Sequence, residues 1–89
     1  RRGEGLRTIV VRFDADVAHV VAERRWPPTQ PIVRNDDGSV ELSLTTNQTD
    51  QVLFRVMSFG PSAEIRAPEE LRRRARRWVE EMHRRYEAT

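Results

Sequence analysis

An alternating apolar strand at residues 8–13, a Gly-containing hairpin turn at residues 35–38 and helical apolar spacing in three other stretches predict an α+β domain. In residues 8–13, Ile9, Val11 and Phe13 fall on one face and Thr8, Val10 and Arg12 on the other, the pattern of a half-buried strand. Asp14 stands where a helix cap is needed. The helix it opens is expected to reach about Arg25, where Trp26-Pro27-Pro28 stops it. Residues 30–34 and 39–46 are expected to pair about Asn35-Asp36-Asp37-Gly38, because Asp-Gly tolerates the positive φ of a tight turn.

The chain then changes state twice within about twenty residues. Val52, Leu53, Val56 and Met57 recur at helical spacing, preceded by Asn47 and Asp50 in the spacing of a capping box. This helix stops at Ser58-Phe59-Gly60, a short strand Ala63-Glu64-Ile65-Arg66-Ala67 follows, and Pro68 opens a last helix that runs to about Glu87. Gly at a helix end supplies the left-handed cap, and Pro suits a first turn, where its missing N–H is not needed. The order is β-α-β-β-α-β with an additional C-terminal helix. Its first six elements are those of the ferredoxin-like arrangement, a four-stranded antiparallel sheet with both helices on one face. The expected inward set is Ile9, Val11, Phe13, Val40, Leu42, Leu44, Ala63 and Ile65, facing Val17, Val20, Val21, Val52, Leu53, Val56 and Met57.

Eighty-nine residues suffice for one domain with a modest core. Residues 1–7, with two Gly and three Arg and no periodicity, read as a linker or the cut end of a longer chain, and residues 8–89 as the domain. No apolar run approaches the ~20 residues that cross a bilayer, so no membrane partner is expected. The absence of cysteine excludes disulfides and thiolate metal sites. The net charge of +2 conceals an asymmetry: all sixteen cations are Arg, and eight of them lie between Arg66 and Arg85.

Catalysis finds no support, and neither a metal nor a cofactor is called for. His19 and His83 lie far apart, and His19 falls opposite the Val17/Val21 stripe, toward solvent. Ser43, Ser58 and Ser62 lack a nucleophile-elbow context, and no Gly-rich loop resembles a phosphate cradle. Turn chemistry accounts for Asp36-Asp37. RNA-binding sheets of this topology stack bases on aromatics. Here the open face would present Thr8, Val10, Arg12, Glu41, Ser43, Thr45, Glu64 and Arg66, none of them aromatic, which disfavours RNA reading.

Arg residues carry what remains. At about 100° per residue, Arg24 lands inside the apolar stripe of its helix, between Val17 and Val20. Either it snorkels out at the last turn, or it aims a guanidinium at an effector, a nucleic-acid backbone or a neighbouring domain. Arg25 adjoins it, and Arg12 offers a third contact from the open sheet face. Trp26 reads as a packed boundary residue. The last helix has an apolar stripe of Leu71, Ala75, Trp78, Val79, Met82 and Tyr86, against a face that holds Arg72, Arg73, Arg76, Arg77 and Arg84. That face suggests a nucleic-acid patch. The i,i+4 spacings Glu69–Arg73, Glu70–Arg74, Arg76–Glu80, Arg77–Glu81, Glu80–Arg84 and Glu81–Arg85 predict instead a helix laced by its own salt bridges. The apolar stripe must cover its own sheet or that of a partner, which favours a homodimer.

The strand Ile9-Val10-Val11-Arg12-Phe13, the turn Ala22-Glu23-Arg24-Arg25, the hairpin Asp37-Gly38-Ser39-Val40-Glu41-Leu42, the stop Met57-Ser58-Phe59-Gly60 and the opening Pro68-Glu69-Glu70-Leu71-Arg72 occur in one order. In that order the chain resembles the C-terminal extension (WCX) that follows the WYL domain in bacterial transcriptional regulators. The resemblance implies a cytoplasmic, non-catalytic module whose partner is the WYL domain of its own chain, with roles in effector response, domain packing and dimer formation. It also implies that DNA is read elsewhere, by an N-terminal winged helix-turn-helix that these residues do not include. Two other readings stand beside it: a direct nucleic-acid backbone contact through Arg72, Arg73, Arg76 and Arg77, and a free-standing ACT-like small-molecule sensor.

Overall fold

A computed structural model describes residues 5–26 and 31–88. Strand β1 (Arg7–Phe13) leads through a 3-10 turn, Ala15–Val17, into helix α1 (Ala18–Glu23). Strands β2 (Val33–Arg34) and β3 (Val40–Thr46) form the hairpin, followed by α2 (Thr49–Met57). A second 3-10 turn, Gly60–Ser62, precedes β4 (Ala63–Ala67) and the long helix α3 (Glu69–Glu87). The strands make one antiparallel sheet in the order β2-β3-β1-β4. The domain is therefore mixed α and β, with β1 and β3 central and the C-terminal helix last.

Alternation in the strands sets the core. Ile9, Val11 and Phe13 pair with Leu44, Leu42 and Val40, and all six are buried on the same face. Ile65 joins from β4 opposite Val11, and Val21, Val52, Leu53 and Val56 come from the helices. Val17, Met57 and Ala63 of the expected set are only partly buried against this cluster. Val20 is half-buried and outside it. A 3-10 turn has three residues per turn rather than 3.6, so residues 15–17 shift the phase of the stripe that uniform helical spacing assumes.

The first helix also ends early. Arg24 has extended backbone, and the Trp26 indole donates to the Val21 carbonyl at 3.1 Å, satisfying an acceptor that another helical turn would have used. Pro27, Pro28 and Gln30, to which the expected helix stop and hairpin start were assigned, lie outside the described residues. So do residues 1–4 of the expected linker, whereas Arg7 already belongs to β1.

Neither expected carboxylate cap forms. Asp14 occupies the cap position, but its carboxylate accepts from Arg12 at 2.6 Å. Gln48, not Asn47, caps α2 without a side-chain bond, the Thr46 hydroxyl accepts from the Gln48 N–H, and Asp50 is taken by Arg74 at 2.5 Å. A guanidinium within reach offers a carboxylate a charged donor, which is stronger than a neutral amide.

The hairpin turn forms at residues 35–38, although the β2 arm is only two residues long. Gly38 takes φ +87°, and a Cβ there would lie 3.0 Å from that of Ala15, so both backbone and space require glycine. Asp37 accepts from the Ser39 N–H at 2.9 Å and the Ser39 hydroxyl at 2.6 Å.

Two outcomes are expected. Leu42→Ala should cost roughly 2–4 kcal/mol by leaving a cavity, with Val56→Ala costing less, both measured by urea unfolding. The Asp37 carboxyl lies below its usual range, chiefly through the Ser39 hydroxyl and then the Ser39 N–H. A lowered carboxylate contributes stability that is present above its unfolded value of about 4 and is lost as pH falls through the lower folded value. Thermal melts taken from neutral pH down to about pH 3 should therefore show less acid destabilisation in Asp37→Asn than in the parent chain.

Candidate functional site

Phe13, the last residue of β1, is fully buried and meets two rings from distant parts of the chain. Its centroid lies 5.8 Å from Trp26 and 5.1 Å from Phe59, the latter edge-on. Trp26 and Phe59 are themselves nearly parallel, at 22° and 6.4 Å. Each carries a guanidinium: Arg24 over Phe59 at 4.9 Å, and Arg55 over Trp26 at 4.2 Å. Arg55 also donates to the Arg25 carbonyl at 2.7 Å, tying the end of α2 to the segment after α1. Such stacks contribute roughly 0.5–2 kcal/mol each, more as water is excluded.

This arrangement brings Arg24, the backbone of Arg25 and Arg55 together. Among the described residues, no carboxylate lies within ion-pair distance of any of the three. Arg24 therefore neither snorkels along a helix nor joins the core: once its backbone leaves the helix, it crosses to Phe59. Trp26 is the packed boundary residue its sequence context suggests. Sequence position does not mark Arg55 and Phe59 as site residues, since each ends or follows a helix some thirty residues from Arg25. Only the packing around Phe13 brings them there.

Arg12 does not join this cluster. It bonds Asp14 at 2.6 Å and Asp37 at 3.2 Å, and its pKa is raised, chiefly by the hydrogen bond to Asp14. It clasps the end of β1 to the hairpin turn. The open sheet face around it is polar, with the Thr8 and Thr45 hydroxyls 3.5 Å apart.

The Arg-rich face of α3 differs from the self-paired helix expected. Among the described residues none of the six i,i+4 Glu–Arg spacings closes; the acids and cations that pair do so mostly between elements. Glu70 pairs with Arg7, Arg74 with Asp50, and Arg72 with Glu64 at 2.7 Å. Arg72 also donates to the Ile65 carbonyl at 3.0 Å, which satisfies an acceptor on the edge strand β4. The Glu64 carboxyl lies below its usual range, first through Arg72 and then through the charge of Arg66 against a burial penalty. Arg73, Arg76 and Arg77 are exposed and have no ion-pair partner among the described residues. Arg73, Arg74 and Arg77 line a shallow pocket of about 390 Å³ with Arg7, Thr49 and Glu70.

The apolar stripe of α3 is used unevenly. Leu71 is buried and Ala75 and Trp78 partly so, but Val79 is 52% exposed, Met82 48% and Tyr86 81%. Nineteen residues at about 1.5 Å each outrun the five-residue strand beside them, so the outer half of the helix passes beyond the sheet. Phe54, 63% exposed, packs on Trp78 at 4.9 Å and extends this apolar surface onto α2.

The domain thus has an antiparallel sheet centred on β1 and β3, two helices that contribute to its core, a long C-terminal helix and, on Phe59 and Trp26, two stacked guanidinium groups without an ion-pair partner among the described residues. The WCX domain family model matches residues 5–83, and the chain belongs to the WCX family, a domain associated with WYL-containing regulators. Comparison with curated proteins finds no matching relative. No helix among the described residues is long and apolar enough to cross a membrane.

Phe59→Ala is expected to cost roughly 3–5 kcal/mol, since it opens the ring cluster on Phe13, while Arg55→Ala should cost about 1 kcal/mol through its cation–π contact. Urea unfolding followed by Trp fluorescence measures both.

Proposed function

We propose that this domain is a non-catalytic regulatory and assembly module of a bacterial, cytoplasmic WYL-family transcriptional regulator. It contributes to effector response and to dimer formation. The order β4-β1-β3-β2 with two helices in its core fits the ferredoxin-like reading of the fold. The observation that carries the functional reading is the group Arg24, Arg25 and Arg55, in which Arg24 and Arg55 stack on Phe59 and Trp26, Arg55 donates to the Arg25 carbonyl, and no ion-pair partner occurs among the described residues. In the family setting, that group would face an acidic surface of the WYL domain of the same chain or an anionic effector held between the two domains. DNA would be reached through an N-terminal winged helix-turn-helix. The homodimer would use the outer half of α3, where Phe54, Trp78 and Met82 form an apolar flank.

In the full regulator, Arg24→Gln and Arg25→Gln together should abolish the response to effector while leaving operator affinity of the unliganded protein within about twofold. Full response in the double variant would overturn the assignment. For assembly, sedimentation of the domain at tens of micromolar should show a dimer that Phe54→Glu converts to monomer. A parent chain that is monomeric there removes the assembly role.

Arg73, Arg76 and Arg77, without an ion-pair partner among the described residues, favour one other reading, a direct contact with a nucleic-acid backbone. Fluorescence anisotropy with duplex DNA should show weak, sequence-independent binding that disappears at physiological salt. Sequence-specific binding at that salt, lost in Arg73→Ala and Arg76→Ala, would make this the main function.

A further inference from the structure

The protein has two methionines, Met57 at the end of α2 and Met82 on α3, and both line one groove. It lies between α3, the edge strand β4 and the turn at Gly60–Ser62, and measures about 430 Å³. Val56, Pro61, Ala63, Ile65, Ala75 and Val79 supply the rest of its apolar lining. Grooves of this size and character, with a few polar groups at one side, are the usual sites of small ligands. Thioether side chains re-pack readily around guests of irregular shape.

The polar rim consists of Glu64, Arg72 and Arg76. Glu64 and Arg72 neutralise one another at 2.7 Å, and Arg66 reaches the same carboxylate at 3.4 Å. Arg76 is left as an uncompensated cation beside an apolar trough, with no ion-pair partner among the described residues. We propose that this groove binds an amphipathic monoanion, a medium-chain carboxylate, with its tail along Met57, Val79 and Met82 and its carboxylate on Arg76. A cationic amphiphile would meet Arg76 with like charge, and a neutral one would leave it unmatched. The site is distinct from the cluster at Arg24, Arg25 and Arg55, and its occupant is set by charge complementarity alone.

The two methionine methyl groups make the test direct. The domain carrying 13C-methyl methionine gives two signals, to be titrated with decanoate below its micelle concentration. Both signals should move together and saturate by a few millimolar, while decyltrimethylammonium moves neither. Arg76→Gln should weaken decanoate about threefold to fivefold and leave binding of decanol unchanged. Ala75→Trp, which fills the groove, should abolish the shifts while the amide spectrum stays folded. Unmoved signals, equal binding of the cationic amphiphile, or an Arg76→Gln variant with parental affinity would each overturn the proposal. A Met57 signal that shifts with protein concentration in the absence of ligand would also overturn it, because a second copy would then cover the groove.

Discussion

Phe13 ends the central strand with its ring fully buried, and both the core and the cationic edge are arranged about it. Through β1 it belongs to the alternating set that packs on Val40, Leu42 and Leu44. Through its ring it gathers Trp26 from behind α1 and Phe59 from behind α2. Those two rings in turn decide where Arg24 and Arg55 stand, since a guanidinium gains most over an aromatic face that water has left. One buried aromatic thus couples the hydrophobic interior to the stacked guanidinium groups of Arg24 and Arg55, which have no ion-pair partner among the described residues. A change at Phe13 would disturb stability and the cationic edge together, whereas a change at Arg24 would reach only the second.

Most of the acids that form ion pairs join different elements. Asp14 and Asp37 clasp Arg12 between the strand and the turn, Asp50 holds Arg74 between α2 and α3, and Glu64 holds Arg72 at the sheet edge. Each is partly exposed, so its electrostatic contribution is modest and salt-dependent. The larger consequence is positional. On the α3 face Arg73, Arg76 and Arg77 have no ion-pair partner among the described residues, and Arg72 occupies the Ile65 carbonyl of the edge strand.

The last helix is longer than the domain needs. Its first two turns bury Leu71 against the core, and its outer half carries Val79 and Met82 into solvent. A helix of that length beside a five-residue strand leaves an apolar flank toward Phe54 on one side and the methionine-lined groove on the other. Both surfaces follow from one mismatch in length.

Strand alternation and turn chemistry are local properties, and they were legible: residues 8–13, the Asp37-Gly38 turn, the strand at residues 63–67 and the helix after Pro68 can each be read from their own neighbourhoods. The core faces of the strands followed, because a period of two leaves no freedom once one face is buried. The helix caps and ion pairs were not legible. Asp14, Asp50 and Glu70 each had a partner nearby in sequence, and a guanidinium brought close by folding took its place. The 3-10 turn at residues 15–17 moved Val20 out of phase for a similar reason, since its geometry depends on what packs around it. Residue spacing by itself determined the buried faces of the long strands, the hairpin turn and the order of strands and α-helices. Tertiary structure alone decided which charges are paired, because an ion pair depends on distance in space, and Arg24 and Arg55 share a ring stack across thirty residues of chain.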